Sequence, residues 1–92
     1  MEYKNDPYAE LRKNIDGIDR KILDLLNERA RYALEIGEIK KKRNDPVYVP
    51  AREKDVLDAL ERNNQGPLSN ETVISIFRTI IESVRKMESD LK

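Results

Sequence analysis

The sequence contains no cysteine, no histidine and no tryptophan, and it has only one phenylalanine and three glycines. Without cysteine there are no disulfides, no cysteine-bound zinc and no thiol catalysis. Without histidine there are no histidine-bound metals, no histidine-dependent triads and no imidazole acid–base catalysis. No apolar run approaches the roughly 20 residues that span a bilayer, and the N-terminus lacks the apolar segment of a signal peptide. We therefore expect a cytoplasmic protein without a bound metal and without a membrane partner.

Charged residues are abundant and balanced. The 92 residues include 18 Lys and Arg against 18 Asp and Glu, so the formal net charge is zero. A general nucleic-acid binder needs a basic excess, which argues against a nucleic-acid partner. Hydrophobic residues make up 38% of the chain and aromatic residues 5%. This length predicts a single domain over residues 1–92, with little apolar material for a core of its own.

Proline and glycine clusters divide the chain into three segments with helical periodicity. They predict an all-α fold with helices at about 7–43, 51–63 and 69–91. Asp6 and Ser69 are the expected N-caps of the first and third helices, and Pro7 suits a first helical position. The first helix would be roughly 50 Å long, which is more than a domain of this size can surround. This helix therefore needs another partner.

Apolar residues recur at spacings of three and four in each segment, and these residues are predicted to face a core. They are Leu11, Ile15, Ile18, Ile22, Leu25, Ala33 and Ile36 in the first segment, Val56, Leu57 and Leu60 in the second, and Val73, Ile74, Phe77, Ile80, Ile81, Val84 and Leu91 in the third.

A second apolar strip on the first helix predicts an interface with another chain. Small residues in this strip would allow close helix approach, and Arg12 projects on the same side. Arg12 and Arg29 are about 25 Å apart along the helix axis, so one chain cannot easily bring both to one ligand. A two-fold dimer can, by pairing the first helix antiparallel with its copy. The strip consists of Leu23, Ala30, Leu34 and Gly37.

Three charged residues interrupt the apolar stripes. Arg29 lies 18 residues after Leu11 and seven after Ile22, which places it about 20° from the middle of its stripe. Lys40 follows Arg29 by 11 residues, and Glu88 falls on the inward face of the third helix. These charges would be costly to bury alone, so they form either a structural ion pair or a ligand site. Two cations against one carboxylate favour an anionic ligand.

Six segments, in order, resemble the all-helical AroQ-class (type II) chorismate mutases: LRKNIDGID, LLNER, IGEIK, PV, RE and IFRTIIE, at residues 11–19, 25–29, 36–40, 46–47, 52–53 and 76–82. The resemblance extends from about residue 11 to residue 88. It implies an intertwined helical homodimer whose active sites are shared between chains. It also implies rearrangement of chorismate, a dicarboxylate, to prephenate on the route to phenylalanine and tyrosine, with no cofactor.

The resemblance also assigns roles to the charged residues. Arg29 would pair with one substrate carboxylate, helped by Arg12 of the other chain, and Lys40 would reach the ether oxygen and a neighbouring carboxylate. Glu88 stands where many members have Gln, and Val84 where many have Ser. A carboxylate cannot donate a hydrogen bond to the ether oxygen, but a carboxylic acid can. Glu88 is therefore expected to act in its protonated form beside Lys40.

The connector between the first and second helices, residues 46–50, and the second helix itself supply one wall of the implied site. Glu53 would accept a hydrogen bond from the substrate hydroxyl, near the backbone of Val49. Arg52 would line the same wall and order the connector and Glu53. Two alternatives remain open at this point: an isochorismate-pyruvate lyase, which would release pyruvate and salicylate, and a helical dimerisation or sensing module without turnover.

Overall fold

A computed structural model describes residues 6–91, and these residues form three helices and no β-strand. The helices are α1 (Ala9–Arg43), α2 (Pro50–Asn63) and α3 (Asn70–Ser89). The all-α prediction with a long first helix is therefore confirmed. Contacts divide the chain into two compact units, Met1–Ala30 and Arg31–Lys92, and α1 runs through the boundary. No helix in the described range is both long and apolar enough to cross a bilayer.

The ends of α1 are fixed by local polar groups. The Asp6 carboxylate accepts a hydrogen bond from the Tyr8 N–H at 2.8 Å, and the Asp6 carbonyl accepts one from the Ala9 N–H. Because of this turn, the helix begins at Ala9, two residues after the predicted Pro7. At the other end Asn44 has φ 60°, a left-handed conformation that asparagine tolerates better than most residues. The helix consequently ends at Arg43, as the sequence predicted.

The predicted cap of α3 is confirmed. The Ser69 hydroxyl accepts a hydrogen bond from the Thr72 N–H at 3.1 Å, which satisfies one of the unpaired donors of the first turn. The α2 helix begins differently, with Pro50 at its first position and Val49 as a cap without a side-chain hydrogen bond. In the loop between α2 and α3, Gly66 has φ 77°, a conformation that favours glycine.

The first unit consists of the N-terminal turn and the first part of α1, and its apolar stripe is exposed. The five stripe residues are between 48% and 63% exposed, so they do not form a core within residues 6–91 as the sequence predicted. The described chain is too short to cover them. They are Leu11, Ile15, Ile18, Ile22 and Leu25.

The second unit has a small core built around α3. Val73, Ile81 and Val84 are buried, while the α2 residues that were predicted to face a core are half-buried against α3. Gly37 of α1 is also buried, and a Cβ atom there would lie 3.1 Å from Cγ of Glu88 in α3 and 3.0 Å from Cδ1 of Leu91 just beyond it. Gly37 therefore contacts α3 of its own chain. Its assignment to the interface with another chain is wrong, because its lack of a side chain serves a contact within the second unit.

We expect Gly37→Ala to be less stable than Gly17→Ala by about 1–3 kcal/mol, the usual cost of overpacking. Both substitutions gain up to about 1 kcal/mol of helix propensity. A Cβ at Gly37 would also come within 3.1 Å of Glu88 Cγ, whereas a Cβ at Gly17 meets no atom within 4 Å. Urea unfolding followed by circular dichroism measures both variants. Equal stability of the two would contradict this packing.

Candidate functional site

Lys40 is the half-buried cation at the end of α1. Its ammonium donates a hydrogen bond to the Val47 carbonyl at 3.0 Å, whereas its neighbours Lys41, Lys42 and Arg43 are exposed. An ammonium has three donors, so this bond leaves capacity for a ligand. The structure thus singles out the same lysine that interrupts the apolar stripe.

The connector leads directly to Glu53 in the first turn of α2. The Val49 carbonyl accepts hydrogen bonds from the backbone N–H groups of Arg52 and Glu53, at 3.0 and 3.2 Å. Both lone pairs of this carbonyl are thereby used, which leaves the backbone N–H as the group that Val49 offers to a ligand. Glu53 is half-buried, and its negative charge is favourable at a helix N-terminus.

Arg85 of α3 joins the connector to α2. Its Nε lies 3.5 Å from Glu53 Oε2, and the two side chains are each 24% exposed. Its guanidinium carbon lies 4.1 Å from the centre of the Tyr48 ring, within the range of a cation–π interaction. One α3 side chain therefore contacts both the residue expected to bind substrate and the segment that precedes it.

A cavity of about 450 Å³ lies between α2 and α3 beside this cluster. Tyr48, Glu53 and Arg85 line one part of it, and Leu57 and Ile81 supply apolar surface. Lys54 also lines the cavity, but its ammonium bonds to Asp58 at 2.7 Å. This hydrogen bond raises the pKa of Lys54 above its ordinary value of 10.5. Lys54 is therefore already paired, one helical turn from its partner.

Glu88 is half-buried on α3, three residues beyond Arg85. Because Gly37 has no side chain, Glu88 can lie close to α1. Its Cγ would be 3.1 Å from a Cβ atom at position 37. Gly37 precedes Lys40 by three residues, or about one helical turn. The two residues predicted to stabilise the breaking bond thus belong to neighbouring parts of α1 and α3.

The two arginines of the first unit that are predicted to bind substrate, Arg12 and Arg29, differ in their surroundings. Arg12 is exposed, with its Nη1 3.5 Å from Asp6 Oδ2 and its guanidinium 5.1 Å from the Tyr8 ring centre. Arg29 is half-buried and forms no ion pair with any residue of the described range. The structural ion pair considered for Arg29 is therefore absent from residues 6–91.

Sequence reasoning missed Arg85 and Tyr48. Arg52, expected to order the connector and Glu53, is exposed and makes no side-chain contact of this kind within residues 6–91, and Arg85 makes these contacts instead. A signal was present, since Arg85 follows the buried Ile81 by four residues and so lies on the flank of the inward face. Periodicity gives this angle, but it does not say which element packs against the flank.

The described residues offer no evident metal site. Among residues 6–91 there is no group of three or more aspartate, glutamate, histidine or cysteine side chains arranged to hold a metal ion.

The chain matches the family model described as chorismate mutase type II over residues 11–89. It is 45% identical over 87 residues to the bifunctional chorismate mutase/prephenate dehydratase of Aquifex aeolicus. This match covers 90% of this chain and 24% of that protein. The chain thus spans about a quarter of the length of the bifunctional relatives it matches.

Two solved structures are similar over nearly their whole length. The chorismate mutase of Thermus thermophilus (form II) gives a TM-score of 0.91 at 34% identity, covering 95% of this chain and 99% of that one. The chorismate mutase of Helicobacter pylori, solved in complex with prephenate, gives a TM-score of 0.80 at 31% identity, covering 90% and 94%.

We expect Arg29→Met to change the free energy of unfolding by less than about 1 kcal/mol, because Arg29 has no ion pair among residues 6–91. Methionine keeps an apolar stem and removes the charge. Urea denaturation of this variant, beside Arg31→Met as an exposed control, measures the difference. A loss of about 3–5 kcal/mol, typical of breaking a buried ion pair, would restore the structural interpretation.

Proposed function

The chain belongs to the type II chorismate mutase family, and we propose that it catalyses the rearrangement of chorismate to prephenate. The observation that carries this proposal is the similarity, over 90% of the chain, to a chorismate mutase solved in complex with prephenate. The half-buried Lys40, with donor capacity beyond its bond to Val47, supports the binding of an anionic substrate. Because this reaction belongs to aromatic amino acid biosynthesis, we propose that the protein is cytoplasmic.

The chemistry needs no histidine, cysteine, metal or cofactor. Chorismate rearranges by a concerted [3,3] shift, in which a C–O bond breaks while a C–C bond forms and no proton is transferred. The protein holds the reactive conformer and stabilises the charge that develops on the ether oxygen. Arg29 would clamp one carboxylate, and Lys40 would donate to the ether oxygen. A preorganised donor of this kind is typically worth about 2.7–4 kcal/mol of barrier.

The remaining residues would orient the ring and assist the bond that breaks. Glu53 would accept the hydrogen bond of the substrate hydroxyl, with the Val49 N–H nearby and Arg52 along the same wall. Glu88 would donate to the ether oxygen in its protonated form, because only the acid carries a proton to donate. Its place beside Gly37, one turn from Lys40, supports this assignment.

We also propose that the active enzyme is an intertwined homodimer with sites shared between chains. The apolar stripe of α1 supports a second copy as its cover, since residues such as Leu11 and Leu25 are 63% and 62% exposed. An exposed stripe of this kind gains free energy when another apolar surface covers it. Arg12, exposed in the same unit, would then serve the site of the other chain.

The direct test is chorismate consumption by the purified protein, with the product identified by chromatography. We expect prephenate, and we expect Lys40→Met to lower kcat by about 10²–10³-fold. Lys41→Met, an exposed neighbour, is the matched control and should retain wild-type kcat. Pyruvate and salicylate as products would identify a lyase instead, and binding without turnover would indicate a sensing module.

The Glu88 donor role predicts a pH dependence. We expect kcat/KM to fall as pH rises through the range in which Glu88 loses its proton, since the carboxylate form cannot donate. Glu88→Gln carries an amide donor at every pH and should flatten the profile. The measurement is kcat/KM from acid to alkaline pH for both proteins, and a flat wild-type profile would remove the donor assignment.

Mixing two inactive variants tests the shared site. Arg12→Ala and Arg29→Ala should each be inactive alone. In a mixed dimer, one site combines the intact Arg29 of one chain with the intact Arg12 of the other. After statistical subunit exchange, half of the dimers are mixed and each has one intact site, so about a quarter of wild-type activity should return. No recovery, with exchange verified by mass spectrometry, would rule out sharing through Arg12.

A further inference from the structure

The cluster of Tyr48, Glu53 and Arg85 has a role that the proposed reaction leaves unassigned. Resting on that proposed function, we propose that Arg85 is a positioning residue, which orients the Glu53 carboxylate toward the substrate hydroxyl and offsets its negative charge. Arg85 itself would not touch the substrate. It would act through Glu53, and Tyr48 would hold its guanidinium in place.

The geometry supports orientation of one particular oxygen. Arg85 Nε approaches Oε2 of Glu53 at 3.5 Å, which leaves Oε1 to accept the substrate hydroxyl. A glutamate has three side-chain torsions, and an arginine partner restricts them without using both oxygens. The guanidinium carbon lies 4.1 Å from the Tyr48 ring centre, so a cation–π contact restrains Arg85 in turn. Tyr48 of the connector therefore restrains Arg85 of α3, and Arg85 in turn orients Glu53 of α2.

The charges support a second effect, on substrate affinity. Chorismate carries two carboxylates, and a carboxylate at Glu53 would repel such a substrate. Both side chains of the pair are only 24% exposed, so water screens this repulsion less than it would at the surface. A cation paired with Glu53 offsets the repulsion while it leaves the acceptor in place.

No other cation of the described range takes this position. Arg52 is exposed, and Lys54 is bonded to Asp58 at 2.7 Å. Within residues 6–91, Arg85 is the cation that forms an ion pair with Glu53. Its loss should therefore leave the Glu53 carboxylate without a neutralising neighbour.

The experiment is a double-mutant cycle on kcat and KM for chorismate, with Arg85→Met, Glu53→Gln and the double variant. We expect Arg85→Met to lower kcat/KM by about tenfold or more in the wild-type background, through both a higher KM and a lower kcat. In the Glu53→Gln background the same substitution should change kcat/KM by less than about twofold, because the carboxylate on which Arg85 acts is gone. Lys86→Met, an exposed neighbour on α3, should change neither constant.

A conservative variant separates the two effects of Arg85. Arg85→Lys keeps the charge but loses the planar group that contacts Tyr48, so KM should return toward the wild-type value while kcat stays low. Tyr48→Leu should lower kcat with little effect on KM, since the charge of Arg85 is unchanged. Thermal unfolding followed by circular dichroism checks that each variant is folded. If Arg85→Met does not fold, Arg85→Lys replaces it in the double-mutant cycle.

The outcomes distinguish this inference from the proposed function. If the wild-type protein makes no prephenate, the proposed function fails and the role of Arg85 fails with it. If the wild-type protein is active but Arg85→Met has the same effect in both backgrounds, Arg85 acts independently of Glu53 and only this inference fails. A fall in thermal stability with unchanged kcat and KM would make the ion pair purely structural.

Discussion

The uncovered apolar stripe of α1 is the constraint from which most other properties follow. The five stripe residues of the first unit, at positions 11, 15, 18, 22 and 25, are each roughly half exposed or more. Burying one such side chain fully is typically worth about 1.5–3 kcal/mol, so their coverage is a substantial part of what a small domain has available. Within residues 6–91 this surface stays exposed, and hydrophobic residues make up only 38% of the whole chain. In the proposed homodimer a second copy would supply a matching stripe, and the same pairing would give Arg12 a site to serve.

The three-helix architecture could be predicted from the sequence because its determinants are local. Proline and glycine positions, the Ser69 cap and the spacing of apolar residues each act within one helical turn. Gly37 shows where local reasoning stops. Periodicity gives the angle of a residue around α1, but it does not identify the neighbour at that angle. A small residue suits contact with another chain and contact with α3 equally well, and the structure assigns it to α3.

The same distinction explains the candidate site. Lys40 and Glu88 could be found because a charge inside an apolar stripe is conspicuous from one helix alone. Glu53 and Arg52 came from the family resemblance, since nothing in a short helix marks one surface charge above another. Arg85 was missed because its partners, Glu53 and Tyr48, belong to other segments. An ion pair between two helices is a property of their packing, whereas the sequence pattern describes each helix separately.

The hydrogen bond of Lys40 and the ring contact of Arg85 also limit how the chain can change in length. They attach the connector at adjacent residues, Val47 and Tyr48, to two different helices. One inserted residue displaces an extended chain by about 3.5 Å, which exceeds what either contact tolerates. Insertions and deletions between Lys40 and Glu53 would therefore disturb the wall of the proposed site even where no functional side chain is replaced.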